Sequence, residues 1–124
     1  MRLLLDANTL LWWRDASQRL SSRAHDEISD GQNDIVVSVA TLWEIAIKRG
    51  LGKLKFDDDF AQVIHEEDFG LLAISLAHLQ AFEHLPVHHR DPFDRLLIAQ
   101  ALAEGIPIAT GDRVFAAYGV QVIW

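Results

Sequence analysis

Five short apolar runs alternate with stretches of helical periodicity from one end of the chain to the other, and nothing else in the sequence restricts the fold so strongly. The runs are Arg2 to Asp6, Asp34 to Ser38, Leu71 to Ile74, Ile106 to Ala109 and Val120 to Trp124. Runs of this length without polar alternation read as strands buried on both faces. Helical stretches fall between them: Ala7 to Trp13, a short helix capped by Ser21 or Ser22 and running through Ile28, Val39 to Gly50, Phe60 to His65 behind three aspartates, Leu76 to Glu83 behind Ser75, and a short helix over Arg113 to Tyr118. The clearest start signal is Asp91-Pro92, an N-cap followed by a residue whose missing N–H would have been unpaired there anyway. Gly105 closes that helix at a C′-like position. Strand and helix in strict turn predict an α/β fold, a parallel sheet covered by helices on both faces.

The chain has 124 residues, half of them hydrophobic, which suits a single domain over 1–124. It lacks cysteine, so thiolate metal sites and disulfides are excluded. The apolar start is too short for a signal peptide and no run reaches the roughly 18 residues of a membrane span, so a cytoplasmic, membrane-free protein is expected. A formal charge of −7 argues against a broad basic nucleic-acid face. It leaves open an enzyme that meets phosphate through bound metal.

Acids sit where such a fold places its ligands. In open α/β sheets the site lies beyond the carboxyl ends of the strands. Asp6 ends the first run and Asp112 follows the fourth, while Glu44 lies in the helix after strand two and Asp94 in the first turn of the Pro92 helix. Asp94 shares its helix face with Leu97, Ile98 and Ala101, so it needs a cation, hydrogen bonds or a proton; a cation is expected. Two carboxylates about 5 Å apart repel by roughly 3 kcal/mol at an effective dielectric near 20. Mg²⁺ or Mn²⁺ would relieve four of them and activate a water for attack on a phosphodiester. Each acid also has a plainer reading: a helix cap for Asp6, an i,i+4 pair with Lys48 for Glu44, a pair with Arg95 or a shared cap with Asp91 for Asp94, and a turn for Asp112.

Taken in order, Leu4-Leu5-Asp6-Ala7-Asn8, Trp43-Glu44, His89-Arg90-Asp91-Pro92-Phe93-Asp94-Arg95 with Leu97-Ile98-Ala99-Gln100-Ala101, and Thr110-Gly111-Asp112 resemble PIN-domain ribonucleases over the whole chain, most closely the VapC-type toxins of bacterial toxin and antitoxin pairs. The resemblance implies a three-layer α/β/α sandwich and a Mg²⁺- or Mn²⁺-dependent endoribonuclease inhibited by an antitoxin. It implies that Asp6, Glu44, Asp94 and Asp112 form the catalytic metal site, with Asp91 left as a helix cap. Ala7 departs from the pattern, since many members carry a hydroxyl residue there; Asn8 or Thr9 would have to replace it, and Thr110 would orient Asp112.

Asn8, Arg95, Thr110 and Arg113 are the candidate RNA contacts, and Arg14, Lys48, Arg49 and Arg90 also flank the acids. Adjacent His88 and His89 suit RNA contact or local hydrogen bonding better than metal ligation. At least one of Trp12, Trp13, Trp43 and Trp124 is expected at a homodimer or antitoxin interface. Two rival enzyme or signalling readings are weakened by missing residues. A haloacid-dehalogenase-like phosphatase would want an acid at Asn8, and a receiver domain would want paired acids after strand one and a lysine after the last strand. A non-catalytic interaction module on the same fold is the first alternative, and the phosphatase reading stands behind it.

Overall fold

A computed structural model describes residues 1–124. Strands β1 (Arg2–Leu5), β2 (Asp34–Ser38), β3 (Gly70–Leu72), β4 (Ile108–Ala109) and β5 (Val122–Ile123) form one sheet in the order β3-β2-β1-β4-β5, and every pairing is parallel. Side-chain alternation in β1 divides the core in two. Leu3 and Leu5 join Ile35, Val37, Ala109 and Ile123 on one face, with Leu10, Ile28, Ile45 and Val63 from helices α1 (Ala7–Arg14), α2 (Ser22–Ser29), α3 (Val39–Gly50) and α4 (Phe60–Glu67). Leu4 points the other way, with Val36 and Ile108, against Leu97, Ile98 and Ala101 of helix α6 (Pro92–Glu104). Helix α5 (Leu76–Glu83) packs on α6. The result is the expected three-layer sandwich.

The strands after β2 are shorter than their apolar runs, and the causes are local. Pro107 has no N–H to give the ladder, so β4 begins at Ile108, although the Pro107 carbonyl still accepts from Leu4 N at 3.0 Å. At the sheet edge β3 pairs over three residues only, and Ala73 and Ile74 lie exposed beyond it. Arg113–Tyr118 forms a 3-10 helix.

Helix α6 starts as its sequence predicts: the Asp91 carboxylate accepts from Phe93 N at 2.8 Å and Asp94 N at 3.1 Å, and Pro92 takes the first helical position. It ends at Gly105 with φ +66°, a left-handed conformation that glycine adopts without strain. Six consecutive residues, Leu96 to Ala101, are buried between the sheet and α5. Gln100 is among them, and its Oε1 accepts from Ser38 Oγ at 2.5 Å, joining α6 to the end of β2.

No helix is long and apolar enough to cross a membrane.

Candidate active site

The order of the strands turns at β1, whose neighbours lead to β2 on one side and β4 on the other. At the carboxyl ends of these strands lies a cavity of about 460 Å³, and Asp6, Glu44, Asp94 and Asp112 all line it. Asp91 lines it too while capping α6. Four carboxylates from four parts of the chain therefore meet in one pocket.

Each is held differently. Asp6 follows β1 and caps α1, its Oδ1 accepting from Thr9 N at 2.8 Å and its Oδ2 from Thr110 Oγ1 at 2.5 Å. Burial raises its pKa above the ordinary carboxylate value against the pull of those bonds, and Asp112 adds to the rise. The cap and the site are thus the same side chain.

Glu44 is buried on α3, and its Oε2 accepts from Lys48 Nζ at 2.9 Å. That bond is the main reason the Lys48 pKa is raised. The i,i+4 pair and the cavity wall are both real, and the pair is exposed only at its lysine end, since the Glu44 side chain is 9% exposed. Its Oε1 is buried and has no hydrogen-bond partner.

Asp94 does not pair with Arg95. Its Oδ2 lies 3.1 Å from His89 Nε2, which also lies 3.0 Å from Asp112 Oδ2. Burial, then the neighbouring Asp91 and Glu44 carboxylates, push the Asp94 pKa up to about 7. Its neighbours are therefore an imidazole and a crowd of like charges. Asp112 caps the 3-10 helix through Oδ1, which accepts from Val114 N at 3.0 Å.

Several of the basic and polar candidates have structural duties. Arg95 Nη1 donates to the Pro86 carbonyl at 2.9 Å and to Tyr118 Oη at 3.2 Å, and its guanidinium lies over the Phe82 ring, so it latches the segment before α6 and is not a free phosphate ligand. Arg14 is taken up by Asp58, Glu66 and Glu67, and Arg49 by the carbonyls of Phe56 and Asp58. Thr110 is 1% exposed and cannot meet RNA. It supports Asp6 through its hydroxyl hydrogen and takes Asp112 N on its oxygen at 3.0 Å, so one side chain orders both acids. With Thr9 N it fills the role that Ala7 leaves open. Asn8 lies in the cavity wall, and Arg113 is exposed beside Asp112.

Arg19, Trp12 and Trp124 also line the cavity. The two indoles meet with ring centroids 5.9 Å apart, and a Cβ on Gly111 would come within 3.1 Å of Trp124. Distance along the chain hid Arg19 and Trp124; His89 carried a signal, standing five residues before Asp94, but only the backbone bend before α6 turns it inward.

Replacing Thr110 by Val removes a buried donor to Asp6 and an acceptor for Asp112 N. A loss of about 1–3 kcal/mol is expected in denaturant unfolding at pH 8. Wild-type stability in that variant would show that the hydroxyl does not hold the acids.

The donor set is a hard-cation set. Carboxylate oxygens with one of them, Glu44 Oε1, buried and unpartnered fit Mg²⁺ or Mn²⁺, and thiolates are absent. Residues 3–121 match the model of the PIN domain, and the chain belongs to that family. In structure it is similar to chains in VapBC2 from Rickettsia felis bound to a promoter DNA fragment (TM-score 0.68, 17% identity, 98% of this chain and 97% of that one) and in FitAcB from Neisseria gonorrhoeae (0.65, 19%, 97% and 95%). It is also similar to VapBC-5 from Mycobacterium tuberculosis, a member of the VapBC family of toxin-antitoxin systems (0.62, 18%, 98% and 97%). Among curated proteins none matches the chain significantly by sequence.

Proposed function

We propose that this PIN domain is a Mg²⁺- or Mn²⁺-dependent endoribonuclease and the toxin of a toxin-antitoxin pair. The observation that carries the proposal is the meeting of Asp6, Glu44, Asp94 and Asp112 in one cavity with Glu44 Oε1 left unpartnered. Those four side chains would hold the ion. When bound, it lowers the pKa of the attacking water and offsets charge on the leaving oxygen.

The chain's own residues do the rest. Thr9 N and Thr110 Oγ1 each donate to one oxygen of Asp6 and so hold its carboxylate in one orientation in the cavity wall. Lys48 and Arg19 are cations in a wall otherwise rich in acid, and they suit an RNA phosphate entering the pocket. We assign further RNA contact to Asn8 and Arg113.

A protein partner follows from likeness to the VapBC and FitAcB structures. The apolar groove lined by Trp43, Leu79, Phe82 and Phe93, where Trp43 is 55% exposed, suits a second copy of the chain, giving the homodimer.

The test is cleavage of single-stranded and structured RNA by the purified chain. Cutting is expected with Mg²⁺ or Mn²⁺ and loss of cutting in excess chelator. Full cleavage with chelator present would overturn the metal mechanism, and absence of cleavage with saturating Mn²⁺ would favour the non-catalytic module. Expression without an antitoxin should arrest growth.

A further inference from the structure

Of the residues around the cavity, His89 has the most constrained surroundings and no assigned task. Its backbone N–H donates to Tyr118 Oη at 2.7 Å, as does that of His88 at 2.9 Å, and Phe115 lies edge-on to its ring at 6.1 Å between centroids. Arg95 pins the same segment through the Pro86 carbonyl. The imidazole is therefore a built feature and not a loose surface side chain.

Its tautomer follows from one bond. Asp91 N lies 3.1 Å from His89 Nδ1, and a backbone N–H can only donate, so Nδ1 presents a lone pair. In the neutral ring the hydrogen is then on Nε2, between Asp94 Oδ2 and Asp112 Oδ2. The ligand atoms of His89, Asp94 and Asp112 lie within 4.8 Å of one another, which by distance alone would suit a metal. A protonated Nε2 has no lone pair to give one. His89 therefore stands between the two acids as a donor, hydrogen-bonded to Asp112 Oδ2 and 3.1 Å from Asp94 Oδ2.

In two-metal phosphodiesterase sites the ions sit roughly 3.5–4 Å apart, clamped by carboxylates. Here the Nε2–H already lies between Asp94 and Asp112, where a second ion shared by those two acids would have to sit. Glu44 also lines the cavity, and its buried Oε1 has no hydrogen-bond partner. We propose that His89 is a positioning residue that takes the place of a second cation between Asp94 and Asp112, so that the site binds one divalent ion. This rests on the reading of the cavity as a metal site under the proposed function, and adds to it the number of ions and the residue that sets it.

The experiment is Mn²⁺ titration of the full chain, read from the electron paramagnetic resonance signal of free Mn²⁺, on wild type and on the variants His89→Ala and His89→Gln. One Mn²⁺ per chain is expected for wild type and for His89→Gln, whose amide can still donate, and two for His89→Ala. Two ions in wild type, or one in a folded His89→Ala, would overturn the inference. Should His89→Ala fail to fold, long-range ¹H–¹⁵N spectra of wild type decide the donor role, since a protonated Nδ1 contradicts it. One bound ion without RNA cleavage would overturn the nuclease reading alone; two ions with cleavage would overturn this inference alone; no bound Mn²⁺ would overturn both.

Discussion

Asp94→Asn is expected to lose RNA cleavage by on the order of 10²–10³-fold or more while gaining stability. The loss follows from removing one charge from a site whose chemistry is electrostatic. The gain follows from the neighbours: burial, Asp91 and Glu44 all oppose the ionised form, and they hold the Asp94 pKa near 7. The side chain is 24% exposed, so solvent screens part of that cost, and about 1–2 kcal/mol, roughly 4–8 °C in Tm, is the expected benefit at pH 8. The benefit should shrink only partly by pH 6, where the folded carboxyl is largely protonated but the unfolded one is still ionised, and should vanish near pH 4. A variant that is inactive and less stable at both pH values would show that Asp94 is held by favourable contacts, not merely tolerated for function.

The second large effect is a reversal of pH dependence by divalent ion. Because the folded Asp94 pKa lies above the ordinary value of 3.8, the native state binds more protons than the unfolded state between the two values. Stability without metal should therefore fall as pH rises from about 4 to about 7, then level off; Asp6, also raised, acts in the same direction. Mn²⁺ held at the proposed site would compete with those protons. At one hundred times its Kd it should add about 2.7 kcal/mol, seen as a higher Tm at pH 8. Below pH 7 its apparent affinity should weaken by about tenfold per unit if Asp94 alone must lose its proton. Thermal scans at pH 6 and pH 8, with and without Mn²⁺, measure both slopes. A Tm shift of equal size at the two pH values, or one retained in Asp94→Asn, would separate the ion from this carboxylate.

These effects illustrate how unevenly the site can be read from the chain. Asp91-Pro92 announced the start of α6 and Gly105 its end, because caps are local chemistry and need no partner from afar. The acids Asp6 and Asp112 were legible for a related reason, since each ends or follows a strand and α/β topology sends strand ends to one rim. Arg95 was not legible, and Thr110 only for its bond with Asp112, not for its bond to Asp6. An arginine beside an aspartate suggests a pair, yet helix geometry turns the neighbours apart, and the Pro86 carbonyl with Tyr118 Oη captured the guanidinium. Thr110 faces inward toward Asp6, more than one hundred positions away in the chain.

From its order of residues alone, then, this protein determined its alternating elements, their caps and the types of side chain set at the ends of its strands, all consequences of short-range hydrogen bonding and apolar periodicity. Tertiary structure alone decided which distant groups became neighbours: that an imidazole stands between Asp94 and Asp112, that the second Glu44 oxygen is buried without a partner, and that Arg14, Arg49 and Arg95 are taken up by acids and carbonyls elsewhere. Such choices depend on where packing against the sheet leaves each backbone, and a charge takes the nearest partner in space, whatever its place in the chain.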